Sequence, residues 1–238
     1  DDHSVKIGIT TIKLTREEFS LPQGRRSDEI SSFAFLNLHE NENTSVVAAR
    51  SFLLTHGGSL VKFNNGFSRL ISFQLSSGGA TYSVDPNRIF TEEGIVATLK
   101  TYGPYSDEAV AEVKKLADEI LSLYQFDQQS TVLALHNNGG TYGADDYLPG
   151  GTYQNDASQV NIVDGSNPSD FYYVVTEYYF KTLAEMGYNV VLQNNATVTN
   201  DGSLSYYSGI AGKGYINFEA QAEYTSFGAQ VVVEFDMV

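Results

Sequence analysis

Cysteine and tryptophan are both absent from these 238 residues, and the chain has only two methionines and five prolines. Without cysteine there is no disulfide framework, no thiolate zinc site, no iron–sulfur cluster and no cysteine nucleophile. Any metal site must therefore use His, Asp or Glu, and there are four histidines: His3, His39, His56 and His136. No uninterrupted apolar run approaches the ~18–20 residues that span a bilayer, so no membrane span is expected. Positive charge is scarce and unevenly placed. Residues 1–115 carry 12 basic and 14 acidic side chains, residues 116–238 carry 2 and 15, and the net charge is −15. Such a surface repels phosphate backbones and anionic membranes, which excludes nucleic-acid binding. The chain opens Asp1-Asp2-His3 without Met. That start is explained either by a cleaved secretory leader or by trimming of the sequence, and a composition rich in Asn, Gly, Ser and Tyr leads us to expect a periplasmic or secreted protein.

The length suits one α/β domain over residues 1–238, and no repeat or linker divides it. Strands are expected at Val5–Leu14, Phe33–Leu38, Ser59–Asn64, Arg69–Leu75, Thr131–Leu135, Tyr188–Gln193, Gly214–Phe218 and Gln230–Phe235. Helices are expected at Asn43–Thr55, Ser106–Tyr124 and Ser169–Met186, the second capped by Ser106, with acids in its first turn and Val110, Val113, Leu116, Ala117, Ile120 and Leu121 as its apolar stripe. Asn137–Asn167 reads as a long loop, too long for a mere connection and so a candidate site wall. Strands interleaved with helices predict a mixed, largely parallel sheet with helices on both faces.

Functional groups collect at the carboxyl edge of such a sheet. His39 closes one apolar strand and His136 another. His39 and Glu42 stand three residues apart at a strand-to-helix turn, a spacing that lets an imidazole and a carboxylate meet on one cation, with His136 arriving from a second strand end. Two imidazoles and one carboxylate suit Zn²⁺ and leave its fourth position open. Such a site can polarise a carbonyl and lower the pKa of a bound water toward ~7. The alternative at this point is that both histidines only satisfy hydrogen bonds at strand ends.

Further motifs follow in order: Asp85-Pro86-Asn87-Arg88, Leu135-His136-Asn137 and Ile216-Asn217-Phe218-Glu219. Together with His39-Glu40-Asn41-Glu42, this order resembles the zinc carboxypeptidase superfamily, meaning the carboxypeptidase A type with the succinylglutamate desuccinylase and aspartoacylase group. The resemblance spans roughly residues 33–220 and implies the family's phosphorylase/hydrolase-like fold. It also implies one Zn²⁺ on His39, Glu42 and His136, a substrate carboxylate on Asn87 and Arg88, and Glu219 as general base. Glu223 and Glu234 are alternatives for the base. The chain is short for this family. The second substrate arginine has only Arg69 as a counterpart, in a poorly matching setting, and the family's mobile tyrosine has no clear equivalent, although Tyr206 and Tyr207 fall in the right region. Glu40 is expected to face solvent and His56 to sit at a helix end. Arg88 has a surface pairing with Asp85 as its alternative role. His3 could form a square-planar Cu²⁺ or Ni²⁺ site only if Asp1 were the mature terminus.

The implied activity is zinc-dependent hydrolysis of an amide, in a peptide or N-acyl amino acid bearing a free carboxylate. A non-catalytic, metal-retaining binding domain on the same fold is the alternative.

Overall fold

The computed structural model describes residues 1–21 and 33–222; the strand expected at Gln230–Phe235 and the residues Glu223 and Glu234 lie outside the described residues. Nine strands form one sheet in the order β1-β2-β4-β3-β7-β11-β9-β10-β8. In chain order these are β1 (Asp2–Ile7), β2 (Thr10–Phe19), β3 (Ala34–Asn37), β4 (Gly58–Phe63), β7 (Thr131–Asn138), β8 (Ala157–Asn161), β9 (Phe171–Val174), β10 (Val190–Gln193) and β11 (Gly214–Gln221). The central run β4-β3-β7-β11 is parallel, and antiparallel pairs lie toward both edges. A separate hairpin pairs β5 (Ile71–Gln74) with β6 (Thr81–Val84).

The central strands are apolar on both faces, as parallel strands covered by helices must be. On β3 and β7, Phe35, Leu133 and Leu135 pack with Val46, Ala49, Phe52 and Leu53 of α1 (Thr44–His56), and Phe180 of α4 (Glu177–Glu185) joins the same cluster. Their neighbours Leu36, Val132 and Ala134 face the opposite way. There they pack with Ile95 and Leu99 of α2 (Glu92–Tyr102), Val113, Leu116 and Ile120 of α3 (Asp107–Tyr124) and Leu204 of α5 (Leu204–Ile210). Helices thus cover both faces, as expected. The side-chain oxygen of Ser106 accepts from Ala109 N at 3.1 Å and caps α3. Buried Tyr124, at the end of α3, donates to Ala34 O at 2.7 Å and accepts from Leu133 N at 3.1 Å, tying the helix to β3 and β7.

Three expectations are corrected. Val5–Leu14 is not one strand but the two arms of a hairpin that turns at Gly8, where φ is +56° and an added Cβ would lie 2.1 Å from Gln74 O. Ser169–Met186 is not one helix. Its aromatic and β-branched first half forms β9, where Phe171 and Tyr173 are buried toward one face, and only Glu177–Glu185 is helical. The loop expected at Asn137–Asn167 begins later, because β7 runs on to Asn138, and it contains a 3-10 turn at Ala144–Tyr147 and β8. Also unexpected were β6, α2 and α5. For α2 the signal is present in Thr91, whose hydroxyl accepts from Gly94 N, followed by Glu92 and Glu93 in the first turn. Among the described residues no helix is long and apolar enough to cross a membrane.

Candidate metal centre and its cavity

The carboxyl ends of the parallel strands open into a cavity of about 500 Å³. At its floor His39, Glu42 and His136, all buried, converge. The chain after β3 makes a tight turn in which Glu42 N donates to His39 O at 2.9 Å, which folds the two side chains onto one side. Asn37 pins that turn to β7 by donating to Glu42 O and Leu135 O, both at 3.2 Å. His39 Nδ1 then lies 3.2 Å from His136 Nδ1 and 3.1 Å from Glu42 Oε1, and His136 Nδ1 lies 2.9 Å from Glu42 Oε2. A tetrahedral ion with bonds of ~2.0–2.1 Å has ligand-to-ligand edges of about 3.3 Å. These contacts, each measured to one or the other oxygen of Glu42, are close to that spacing, so the group fits a small divalent ion.

The surroundings orient these donors. Asp85 follows β6 directly, donates its backbone N–H to the Thr98 hydroxyl of α2 at 2.9 Å, which leaves its side chain free, and places Oδ1 2.7 Å from His39 Nε2. A carboxylate on the far nitrogen fixes the tautomer and turns Nδ1 toward the cluster. Asp85 Oδ1 also accepts from Asn87 N at 2.8 Å. Arg69, from the segment between β4 and β5, spans Glu42 Oε1 at 2.5 Å and Asp85 Oδ2 at 3.2 Å. Sequence reasoning gave Arg69 a poor match and offered Asp85 as a partner for Arg88; in the structure Asp85 pairs with His39 and Arg69, and Arg88 pairs with Asp201 at 3.4 Å.

Electrostatics follow from this crowding. Burial opposes charge on Glu42, but the His136 and His39 imidazoles outweigh it and hold the carboxyl well below the usual carboxylate range. Asp85 is depressed likewise, burial being outweighed by His39 and Arg69. His39 is raised above 6.5, because the Asp85 and Glu42 carboxylates beside it overcome its burial. An incoming cation must displace the proton these carboxylates hold on His39, so affinity should rise with pH.

Glu219 stands on β11 directly beside His136 of β7 in parallel register, one strand spacing (about 4.8 Å) away. It is not among the three clustered donors. Its Oε1 accepts from Asn217 Nδ2 at 3.0 Å and its Oε2 from Asn138 Nδ2 at 3.4 Å. Burial raises this carboxyl above its ordinary value; His136 pulls it back and Glu42 adds to the rise. Asn87 and Arg88 line the same cavity. Asn87 Oδ1 accepts from Leu204 N at 3.0 Å, which leaves its amide donors for other partners. Asp201 is brought to Arg88 by a backbone crossing in which a Cβ on Gly94 would sit 2.2 Å from the Gly202 Cα.

The remaining wall is formed by the 139–156 segment and by Tyr173 and Tyr215, so the candidate site wall read from the long loop does border the site. Glu40 is a correction: it is buried and accepts from Asn65 N, holding the segment that carries Arg69. His56 stacks on Phe52 at 4.0 Å at the end of α1, and Tyr207 packs against Phe90 and Phe126.

No family model and no curated protein matches the chain. Among solved structures, one described as a metallopeptidase from Shewanella baltica OS155 is 13% identical, with 92% of this chain and 78% of that one covered and a TM-score of 0.37. Another, described as a succinylglutamate desuccinylase/aspartoacylase from Shewanella frigidimarina NCIMB 400, is 12% identical over 92% of this chain and 64% of that one, also with a TM-score of 0.37. Overlap at this level is too loose to assign a function, so the roles below come from the site's own geometry.

Proposed function

We propose that the protein is a zinc-dependent hydrolase that cleaves an amide bond, in a peptide or N-acyl amino acid, next to a free carboxylate. The observation that carries this reading is the gathering, in one cavity, of a three-donor metal group, a buried carboxylate outside it and an arginine on the wall. Donors of two nitrogens and a carboxylate without thiolate suit Zn²⁺ with an open position. When bound, the ion supplies Lewis acidity at that position. His39, Glu42 and His136 hold it, and Asp85 orients His39. Glu219 takes a proton from the attacking water and delivers it to the leaving amine, a role that suits a carboxyl raised by burial. Arg88, with Asn87 beside it, binds the substrate carboxylate and so fixes the scissile bond over the metal corner. Arg69, already oriented by Glu42 and Asp85, is a fixed positive charge near the carbonyl oxygen that gains negative charge. We place the protein in the periplasm or outside the cell on its composition.

The test is turnover of a panel of C-terminal peptide and N-acyl amino acid amides by the zinc-loaded protein, with and without chelator. Chelator-sensitive cleavage is expected, and amidating the substrate carboxylate should remove most of it. Lysine lacks the planar fork that pairs bidentately with a carboxylate. Arg88→Lys should therefore lose ~10-fold or more in kcat/KM and suffer far less from amidation than the wild type. Zinc binding with no cleavage of any member would instead leave a metal-retaining binding domain.

A further inference from the structure

Away from the metal corner the cavity is walled by tyrosine rings together with residues of the 198–205 segment. Tyr147 lies at its centre, with ring centroids 5.4 Å from both Tyr153 and Tyr173, and Tyr142 lies 5.8 Å from Tyr153. The hydroxyls of Tyr142 and Tyr147 hydrogen-bond to each other. Burial raises the phenols of Tyr142, Tyr147 and Tyr173, so at neutral pH the wall is made of uncharged rings with electron-rich faces.

Asp156 lines the same part of the cavity. Its Oδ1 accepts from Thr199 N at 3.2 Å, and its charge is felt by Tyr147 and Tyr173. The two arginines on the cavity are already matched, Arg69 by Glu42 and Asp85 and Arg88 by Asp201. Among the described residues no Lys, Arg or His forms an ion pair with Asp156. It is an acidic side chain without a cationic partner on the cavity lined by these rings, in the half of the chain that carries 2 basic and 15 acidic side chains.

An apolar group packed here would strip water from Asp156 without replacing it, which costs free energy. An anionic group would meet like charge. A cation gains twice, from the carboxylate and from the ring faces. We propose that this wall is the subsite for a cationic side chain: the residue whose carboxylate Arg88 holds is a basic amino acid, and Asp156 is the counter-ion of its ammonium or guanidinium. The proposal rests on the reading of Arg88 as the carboxylate anchor and names the substrate class within it.

Equilibrium binding tests it without requiring turnover. Free lysine, norleucine and glutamate share the α-carboxylate and α-amine and differ in the side chain, norleucine lacking only the terminal amine of lysine. Calorimetry on the zinc-loaded chain should show lysine binding at least ~10-fold tighter than norleucine, a factor that corresponds to about 1.4 kcal/mol, with glutamate weakest. Asp156→Asn keeps an oxygen for Thr199 N and should bring lysine to within about threefold of norleucine, as expected when the charge term alone is lost. Asp156→Lys should reverse the order and favour glutamate. Equal affinity for lysine and norleucine in the wild type, no measurable lysine binding, or a lysine preference that survives Asp156→Asn would overturn the subsite. Failure to cleave any amide while lysine preference holds would overturn the hydrolase reading and leave the subsite. Turnover with no preference for a basic residue would do the reverse.

Discussion

The metal corner and the tyrosine wall border the same cavity but are held in different ways. In the corner, charges of both signs are interlocked: Glu42 contacts His39, His136 and Arg69, and Asp85 contacts His39 and Arg69. Most of these groups hang from the ends of central strands or the turns just after them, so the sheet itself sets their positions. The wall is built from the 139–156 segment and from single residues on other elements, and among the described residues its tyrosines and Asp156 hold no ion pair; its side-chain hydrogen bonds include one between two phenols and one from a backbone amide to Asp156. A preformed group of mutually neutralising ligands suits a fixed chemical task, whereas a wall of rings around one unmatched charge suits selection among substrates. Substitutions in the corner should therefore act on every substrate alike, and substitutions in the wall should change only their ranking.

The largest effect should come from emptying the corner. His136→Ala removes one of three donors and is expected to abolish stoichiometric zinc binding, measured by elemental analysis after dialysis. Activity should fall by on the order of 10³-fold or more, since Lewis acidity is worth several kcal/mol. Retention of one zinc per chain in this variant would dissolve the assignment of the ligands. Next in size is the separation of base from ligands within the corner. Glu219→Gln should keep zinc yet lower kcat by at least ~10²-fold; loss of zinc would recast Glu219 as a ligand, and unchanged kcat would remove it from the mechanism.

A smaller effect is expected at Asp85, which touches no reacting atom but holds His39 by its far nitrogen. Asp85→Asn should weaken zinc affinity by ~10–100-fold, the usual cost of losing such a partner. At saturating zinc kcat should largely recover, and that recovery identifies a positioning role. A kcat that stays low at full occupancy would show instead that Asp85 acts in the chemistry.

The two regions also differ in how far they could be read from sequence. His39 and Glu42 sit three residues apart at a strand end, and His136 sits at the end of another apolar run, so local spacing carries them, whereas only the motif order that the resemblance rests on points to Glu219. Asn87 and Arg88 follow as a motif. Arg69 and Asp201 reach the site through long-range packing, and no local pattern marks them. The same holds for Tyr142, Tyr147, Tyr153, Tyr173 and Asp156, whose separations follow no helical or strand period and which are lost among 16 tyrosines and 29 acids. In the fold, the parallel centre and the helices α1 and α3 were legible because apolar runs and caps mark them. The β9–α4 boundary was not, because the aromatic residues of 171–180 satisfy a helical stripe as well as an alternating strand, and burial in the sheet decides between the two.

The smallest expected effect concerns stability and turns on the same Glu219. Its carboxyl is raised above the ordinary 4.5, by burial first, with His136 opposing and Glu42 adding. The folded state thus binds this proton more tightly than the unfolded state. The group favours folding fully below about pH 4.5, and that contribution is lost as pH rises through the raised folded value. Ionising this carboxyl in the metal-free protein therefore costs the folded state, because burial disfavours the charge. Glu219→Gln removes the charge while its amide carbonyl can still accept from Asn217, and the oxygen replaced by NH₂ is the one with only the long 3.4 Å bond. The metal-free variant should melt higher than metal-free wild type at pH 7.5, by on the order of 2–4 °C for each kcal/mol relieved. The gap should close toward pH 4, where wild-type Glu219 is protonated in both states. Equal melting temperatures at pH 7.5 would mean that this carboxyl costs the fold nothing there, and a buried general base held at a cost to stability would no longer describe this site.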